Sequence, residues 1–353
     1  NNQRTRVEGL AGRLEYKNFT VCLPSGGFIE VLQNILILSA GRRCLLVRYF
    51  QQELKKNFPD ALVIAADMAP DLSSACHTAD TYFTTPAIQD PKYIEQLLTL
   101  CIAHQIRVVV PTIDTDLLLL AKSRDLFAQR GIEILVSDLT LVKHCRDKRL
   151  TDDLFNKHGI SSPSRIDPRQ EESYPLLAKP YDGSSSNNLH VVRSFLELPA
   201  TLLDDPKMLF YEYLSHEEHQ EYTIDMYFDR DGYLKCFVPR LRLATRAGEV
   251  SKGRTSNRNS LCVIRERFHR MPGARGCLTM QLFMRNGDKK LFGIEINPRF
   301  GGGYPLSFEA GANFPAWIIS EYLRNESIAY FDAWQDQLTM LRYDAHVLVS
   351  SAA

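Results

Sequence analysis

The strongest constraint on the fold is a regular alternation of short apolar runs with helix-length segments across residues 34–136. Four apolar runs have the length of buried strands: 35–38, 62–66, 107–111 and 132–136. Three helical patterns separate them: a stretch that ends near 56, then 92–104 and 116–130. Short strands that alternate with helices of about ten or more residues indicate a parallel, doubly wound sheet. This part of the chain is therefore predicted to have an α/β fold.

The carboxyl ends of these strands predict where a ligand binds, because open parallel sheets collect ligands at that edge. The residues concerned are Gly41, Asp67 and the segment 112–114. The first strand–helix turn, Ser39-Ala40-Gly41-Arg42-Arg43, lacks the GxGxxG pattern with which a backbone approaches a dinucleotide pyrophosphate. NAD binding is accordingly not favoured.

The composition argues against several classes of protein. The 353 residues exceed one ordinary core and predict two or three packed domains. Lys plus Arg and Asp plus Glu number 42 each, so no global charge draws the chain to nucleic acid or to an anionic membrane. No apolar run approaches the roughly 20 residues that span a bilayer.

The cysteines and the first residues bear on location. The eight cysteines are scattered without a CxxC pair, which indicates reduced thiols and a cytoplasmic protein. Residues 1–33 lack the layout of a signal peptide and are predicted to be an extension or a tag remnant of unknown role.

The pattern changes after Pro163, where strand-like segments recur with turn signals between them and indicate antiparallel sheet. The predicted strands are 176–179, 190–192, 208–213, 222–228, 234–243, 277–284 and 291–296. The predicted helices are 194–203, 263–269 and 314–323. Asn286-Gly287 predicts a hairpin between the last two strands, because both residues tolerate the positive φ of tight turns.

Three oxygen-bearing side chains are predicted to converge on this hairpin. Glu295 and Asn297 are two residues apart on a strand and therefore share a face. Gln281, on the other arm, lies within about one residue of the position opposite Glu295. Such a set suits Mg²⁺, a hard cation that completes its shell with phosphate and water. A hydrogen-bonded strand end is the structural alternative, but it does not explain the adjacent Arg299 and the three glycines at 301–303.

A phosphate cradle is predicted where Lys179 leaves a buried strand. The following loop contains Gly183, Ser184, Ser185 and Ser186, whose backbone N–H groups can surround phosphate oxygens while the lysine supplies a charge. A solvated lysine beside an ordinary Gly/Ser turn is the equally open alternative.

Candidate partners for a base and a ribose surround the next strand. Glu212-Tyr213-Leu214 ends that strand and offers backbone hydrogen-bond groups to an adenine edge. Glu221, beyond a polar loop, is able to accept both ribose hydroxyls. His216 and His219 in this loop are three residues apart, so they do not form the helical HExxH of a metalloprotease and are predicted to be solvated.

With these motifs in place, residues 34–323 resemble the ATP-grasp superfamily, nearest to its carbamoyl-phosphate-synthetase-like and amino-acid-ligase-like members. The resemblance covers most of the chain and implies that ATP binds between two antiparallel sheets. The implied domains are a pre-ATP-grasp domain at 34–145, a lid subdomain at 146–214 and a C-terminal domain with the metal site at 215–353.

The resemblance implies a nucleotide-binding set with two phosphate-binding lysines, an adenine hinge and a ribose carboxylate: Lys148, Lys179, Glu212, Tyr213, Leu214 and Glu221. Lys148 belongs to an Asp-Lys pair of the family type. The loop 216–220 departs from the family pattern, because it lacks the usual glycine and is lengthened.

The resemblance also implies that Gln281, Glu295 and Asn297 hold the metal and that Arg299 contacts phosphate. Relatives place substrate and γ-phosphate contacts in a segment that here carries four basic candidates: Arg240, Arg242, Arg246 and Lys252. A solvated basic face is the open alternative for this segment.

The implied activity is that of an ATP-dependent ligase, which joins a carboxylate to an amine or a thiol through an acyl phosphate and releases ADP and phosphate. The implied cofactors are ATP and Mg²⁺, with Mn²⁺ as an alternative ion. The implied partners are small carboxylates and amines such as amino acids, without nucleic acid or membrane, and a homodimer is left open. Two alternatives are carbamoyl-phosphate-synthase-like chemistry on bicarbonate and a catalytically silent ATP-binding regulatory protein. The complete set of metal-position residues favours an enzyme.

Overall fold

The structure, a computed structural model, describes residues 20–22, 28–30, 32–170, 174–183, 188–246 and 248–350. Near its start, strands β1 (Thr20–Cys22) and β2 (Phe28–Glu30) pair antiparallel. Most of the predicted extension lies outside the described residues. Among the helices of the described ranges, none has the length and apolar character needed to cross a membrane.

The predicted parallel sheet is present and has five strands. They are β3 (Asn34–Leu38), β4 (Val63–Asp67), β5 (Thr81–Thr84), β6 (Ile106–Pro111) and β7 (Glu133–Ile134). Their spatial order is β5-β4-β3-β6-β7, and every neighbouring pair is parallel. The central strand β3 is buried along its whole length, as expected of a strand covered on both faces. The α/β prediction is confirmed.

The edge strand β5 was not predicted. Three of its four residues are exposed, so it carries no apolar run that would mark it in the sequence. Short exposed edge strands also protect a sheet from pairing with other chains.

Three helices cover this sheet: α1 (Cys44–Asn57), α2 (Tyr93–Ala103) and α3 (Asp114–Ala128). Two more helices, α4 (Leu139–Arg146) and α5 (Lys148–Lys157), follow in the chain, and Phe155 of α5 joins the core of the larger antiparallel sheet. In α1, Val47, Phe50 and Leu54 are spaced three and four residues apart and are fully buried against one face of the sheet. Helices α2 and α3 pack on the other face. Asp147 caps α5, since its side chain accepts a hydrogen bond from the backbone N–H of Arg149.

The rest of the chain forms two antiparallel sheets, as predicted. The smaller consists of β8 (Leu176–Pro180), β9 (His190–Val192) and β10 (Met208–Glu212), with β8 in the centre. The larger consists of β11 (His219–Phe228), β12 (Leu234–Arg246), β13 (Glu249–Thr255), β14 (Gly276–Arg285), β15 (Leu291–Asn297) and β16 (Thr339–Leu341). Its spatial order is β15-β14-β11-β12-β13-β16.

The larger sheet has two different faces because successive side chains of a strand alternate. Tyr222 and Ile224 of β11 join Met280 of β14 in one hydrophobic core. The residues between them, such as Thr223 and Gln281, point to the opposite face and line a cavity.

The hairpin between β14 and β15 is confirmed, but its turn differs from the predicted one. The N–H of Arg285 donates to the carbonyl of Lys290 at 2.9 Å, which closes a loop over residues 286–289. The left-handed residue is Lys289, with φ of 61°, and not Asn286-Gly287. Loops of this length are commonly built around a type I turn, so a positive φ is not needed at their first residues.

Of the three helices predicted in this part of the chain, two need correction: 194–203 and 314–323. The segment 194–203 is divided into a 3₁₀ turn, Phe195–Glu197, and a short helix α6 (Ala200–Leu203), with Pro199 between them. The helix predicted at 263–269 is present as α7 (Cys262–Arg267).

The last predicted helix, 314–323, begins as α9 (Phe314–Ile318) and continues as a π-helix, Ile319–Leu323. The short helix α8 (Tyr304–Glu309) and the strand β13 were not predicted, and neither carries a long apolar pattern. The domain boundaries near 145 and 214 stay predictions.

Candidate functional site

A cavity of about 520 Å³ lies between the two antiparallel sheets. The smaller sheet contributes Lys179 and Tyr211, and the larger contributes Thr223 and Gln281. Every described residue of the predicted nucleotide, metal and catalytic sets lines it: Lys148, Lys179, Gly183, Glu212, Tyr213, Leu214, Glu221, Arg240, Arg242, Gln281, Glu295, Asn297 and Arg299. Ser184, Ser185 and Ser186 lie outside the described residues.

The three candidate metal ligands share one face of the β14–β15 ladder. Gln281 is the direct partner of Glu295, and Asn297 follows two residues later, so the predicted register is confirmed. Asn297 Nδ2 donates to Glu295 Oε1 at 2.9 Å, which turns the amide oxygen of Asn297 away from that bond. One carboxylate and two amide oxygens fit Mg²⁺ or Mn²⁺, whose other positions phosphate and water can fill. In the part of the chain that the structure describes, no cluster of three His, Cys, Asp or Glu side chains offers an alternative metal site.

Two lysines place positive charge in the cavity: one lies on the smaller sheet and the other on α5. Burial removes part of the water around both charges. Lys179 is 6 % exposed, and its Nζ lies 4.4 Å from the centre of the Tyr211 ring. Burial lowers the pKa of Lys179 to about 8, and the charge of Lys148 acts in the same direction. Lys148 Nζ donates to the carbonyl of Gly183 at 2.6 Å, and burial lowers its pKa as well. Two such cations side by side favour a polyanionic ligand.

The predicted adenine hinge follows directly from β10. The backbone N–H of Glu212 donates to the carbonyl of Ser164 at 2.9 Å, and its carboxylate accepts from the N–H of Ser164 at 2.7 Å. These two bonds hold the chain where Tyr213 and Leu214 continue along the cavity wall.

The two loop histidines have different environments. His216 is exposed and lines the cavity. His219 is 5 % exposed, belongs to β11, and packs its ring near those of Phe283 and Phe292. The prediction of a solvated histidine is therefore wrong for His219, because the strand begins earlier than its apolar run.

Arg299 is held in place by Asp114, the first residue of α3. Its Nε and Nη2 donate to the two carboxylate oxygens at 2.8 and 2.6 Å, and its Nη1 donates to the carbonyl of Phe300 at 3.1 Å. Burial alone would lower the pKa of Arg299, but the charge and hydrogen bonds of Asp114 raise it. The guanidinium is thus fixed and charged where the parallel and antiparallel sheets meet.

Arg240 and Arg242 already have acidic partners. Arg240 is 1 % exposed, and its Nε and Nη2 donate to Asp225 at 2.8 and 2.9 Å. Arg242 Nη1 donates to Glu221, the predicted ribose carboxylate. Burial raises the pKa of Glu221, while Arg242 opposes the shift. Among the described residues, Nη1 of Arg240 and Nε of Arg242 are buried without a hydrogen-bond partner.

Comparisons with known proteins match two segments of the chain to family models. Residues 204–344 match the family model described as ATP-grasp in the biosynthetic pathway with Ter operon, and residues 35–135 match the PylC-like N-terminal domain. The segment 204–344 therefore belongs to an ATP-grasp family. No curated protein matches the chain.

Solved structures share the ATP-grasp fold at low sequence identity. The biotin carboxylase domain of Hydrogenobacter thermophilus 2-oxoglutarate carboxylase, described with MgADP, ADP and bicarbonate, has a TM-score of 0.66 at 14 % identity and covers 88 % of this chain and 74 % of its own. N5-carboxyaminoimidazole synthetase from Staphylococcus aureus, described with ADP, has a TM-score of 0.64 at 15 % identity, and the match covers 81 % of this chain and 76 % of that protein. The L-amino acid ligase from Bacillus licheniformis has a TM-score of 0.62 at 16 % identity, and the match covers 84 % of this chain and 76 % of that protein.

The ATP-grasp cavity also contains residues that the sequence did not reveal as a site. Arg42 and Arg43, in the turn before α1, line it together with Glu249 of β13. Arg42 Nη2 lies 3.1 Å from one oxygen of Glu249, and Arg342 Nη1 lies 3.1 Å from the other. The available signal was the pair of arginines at the carboxyl end of the first parallel strand, where ligands collect.

Two of the basic candidates lie away from the cavity. Arg246 forms an exposed ion pair with Asp344. Lys252 is exposed on β13, and neither residue is part of the cavity lining. The prediction that they contact substrate is not supported.

Proposed function

We propose that the protein is an ATP-dependent ligase that activates a carboxylate as an acyl phosphate and transfers the acyl group to an amine or a thiol. The observation that carries the proposal is that oxygen donors of the metal type, the buried Lys179, the half-buried Lys148 and an anchored arginine all line one cavity. Phosphoryl transfer needs positioning and charge neutralisation more than a nucleophilic side chain, so this set is sufficient for the chemistry.

Each group has a part in the proposed reaction. Lys148 and Lys179 bind phosphate oxygens of ATP. Gln281, Glu295 and Asn297 would hold Mg²⁺, which when bound neutralises charge shared between the β- and γ-phosphates. Arg299 stabilises the charge on the transferring phosphoryl group.

The reaction runs in two balanced steps. A carboxylate oxygen attacks the γ-phosphorus while the bond from that phosphorus to the β–γ bridging oxygen breaks, and ADP leaves. The amine or thiol then attacks the acyl carbon of the acyl phosphate, its proton is lost, and inorganic phosphate leaves with the oxygen that came from the acid.

Isotope transfer tests this sequence. With ¹⁸O in the carboxylate and hydroxylamine as a surrogate amine, we expect ADP, a hydroxamate and labelled inorganic phosphate. Label absent from phosphate, with AMP as the nucleotide product, would indicate adenylation and overturn the mechanism.

Bicarbonate is the second candidate for the activated acid, because a structure with the same fold is described with bicarbonate bound. Bicarbonate would form carboxyphosphate instead of an acyl phosphate. ADP release that depends on bicarbonate in carbon-dioxide-depleted buffer, and on no other acid, would favour this reaction.

A catalytically silent nucleotide-binding protein would bind ATP and release no ADP with any acid. The presence of Gln281, Glu295 and Asn297 in one register argues for catalysis. A homodimer stays a prediction, which light scattering of the purified protein would test.

A further inference from the structure

A group of charged residues at the edge of the cavity has no part in the mechanism above; Arg42, Arg43 and Glu249 line the cavity, and Arg342 contacts Glu249. We define the arginine cluster as Arg42, Arg43 and Arg342 together with Glu249, which they surround. Arg43 Nη1 lies 3.9 Å from Glu249 Oε1, in addition to the two shorter contacts that Arg42 and Arg342 make with the same carboxylate. One carboxylate cannot balance three guanidinium groups, so the cluster carries excess positive charge.

The pKa values in the cluster reflect both burial and charge. Burial is the largest cause that lowers the pKa of Arg43 to about 10; Glu249 opposes this shift, and the charges of Arg299, Arg342 and Arg42 contribute to it. Burial would raise the pKa of Glu249, but the surrounding arginines hold it below its usual value. Like charges held together in a partly desolvated site are stabilised by an additional anion.

The glycine loop 301–303 joins the arginine cluster to Arg240. A Cβ added at Gly303 would lie 2.1 Å from Arg240 Nη1, and one added at Gly302 would lie 2.8 Å from Arg43 Nη1. Both guanidinium groups therefore reach the same short stretch of backbone, which only glycine allows at this distance. Nη1 of Arg240 is also one of the buried donors that have no partner among the described residues. A buried donor of this kind requires an acceptor.

We infer that the arginine cluster and Arg240 form an anion subsite, which binds a second negatively charged group on the acid substrate. That group is a carboxylate or a phosphate, because the planar guanidinium fork matches the oxygens of both. The inference rests on the proposed function, since it takes the reacting carboxylate to lie near Arg299. The substrate class is therefore a dicarboxylic or a phosphorylated carboxylic acid.

A structural clamp is the competing explanation. Arg42 and Arg43 belong to the parallel-sheet part of the chain, and Glu249 belongs to the larger antiparallel sheet. A clamp would explain the ion pairs, but it explains neither the excess of positive charge nor the unpaired Nη1 of Arg240.

Matched acids test the subsite in the full-length protein with saturating MgATP and hydroxylamine. The first pair is butyrate and succinate, and the second is glycerate and phosphoglycerate. We expect the half-saturating concentration to be about 10- to 100-fold lower for the member of at least one pair that carries two anionic groups, which we call the dianionic acid, as for one or two charge-assisted hydrogen bonds. The pair that shows the difference identifies the second group as carboxylate or phosphate. Equal values within both pairs would overturn the subsite.

Three variants locate the effect. Arg43→Gln and Arg342→Gln should each raise the half-saturating concentration of the dianionic acid by about 10-fold or more and leave that of its monoanionic partner unchanged. Arg48→Gln, at an exposed position of α1, removes the same charge from the same region and should leave the half-saturating concentrations of both acids unchanged. If Arg43→Gln and Arg342→Gln raise the half-saturating concentrations of both acids equally, the cluster is a structural clamp. Arg342→Gln supplies the result if Arg43→Gln does not fold.

Binding without turnover separates this inference from the proposed function. Calorimetric titration of succinate and phosphoglycerate into the protein with MgADP needs no reaction. Binding to the unmodified protein that is lost in Arg43→Gln supports the subsite even if no acid supports ADP release, in which case only the ligase proposal fails. ADP release with acids of either charge, without preferential binding of a dianion, would leave the ligase proposal and overturn the subsite.

Discussion

Lys179 is a buried residue whose protonation should control nucleotide affinity. Burial lowers its pKa to about 8, so the lysine is charged below that pH and neutral above it. The phosphates of ATP bind the charged form. The affinity should therefore be constant below about pH 8 and decline above it, because the protein must then take up a proton in order to bind, by up to about tenfold per pH unit.

Calorimetry with a non-hydrolysable ATP analogue, at pH values on both sides of 8, measures this decline. Lys179→Arg keeps the positive charge at every pH, so its nucleotide affinity should decline much less as the pH rises. Lys148 adds a smaller dependence of the same sign, since burial lowers its pKa too. An affinity of the unmodified protein that does not change with pH would contradict the role of Lys179.

Arg299 should act on turnover more than on binding, because it is placed at the transferring phosphoryl group in the proposed mechanism. Arg299→Ala should lower kcat on the order of 10²- to 10³-fold, as the loss of a preorganised charge does. Asp114→Asn removes the charge that orients this guanidinium and should cause a smaller loss in the same direction. Arg285→Ala breaks an exposed bidentate pair with Asp288 and is the control. A wild-type rate in Arg299→Ala would remove this residue from the chemistry.

At the scale of elements, the packing of α5 against β15 supports the candidate metal site. A Cβ added at Gly293 would lie 2.3 Å from the Phe155 ring, so this strand is able to approach the helix only with glycine there. The same strand carries Glu295 and Asn297 toward the cavity.

Gly293→Ala should therefore reduce the free energy of unfolding by about 1–3 kcal/mol through overpacking. Gly287→Ala lies in the same hairpin with nothing within 4 Å of the added atom, so it should change stability by less than about 0.5 kcal/mol. Urea denaturation of both variants measures the difference. Equal stability of the two would show that Phe155 can move aside at little cost.

At the scale of the whole molecule, the cavity joins three sheets. The parallel-sheet part supplies Arg43, the smaller antiparallel sheet supplies Lys179, and the larger supplies Glu295. A ligand that contacts all three stabilises the native arrangement by mass action, by about 2.7 kcal/mol at a concentration 100 times its Kd.

ADP with Mg²⁺ should accordingly raise the melting temperature more than ADP alone. In Glu295→Gln, the rise in melting temperature caused by Mg²⁺ should be lost, while the rise caused by ADP alone should remain, because only the carboxylate charge is removed. Glu266→Gln, at an exposed position of α7, should behave like the unmodified protein. A melting temperature of Glu295→Gln that still depends fully on Mg²⁺ would contradict the metal assignment.

Local sequence determined those features that depend on neighbouring residues. The apolar runs of β3 and β6 predicted parallel strands, because a strand buried on both faces must be apolar throughout. The pairing of Gln281 with Glu295 followed from one hairpin, whose arms are close in the chain, although its turn type did not. Whether these residues bind metal stays a prediction.

The tertiary structure alone decided which distant charges meet. Arg299 and Asp114 are 185 residues apart, and Arg43 reaches Glu249 across a similar separation of the chain. Charged side chains carry no period that reveals their partner, and the exposed strand β5 carries no apolar run. Hydrophobic periodicity therefore specified the elements of this protein, while only the packing of those elements determined which arginines are neutralised and which retain charge for an anion.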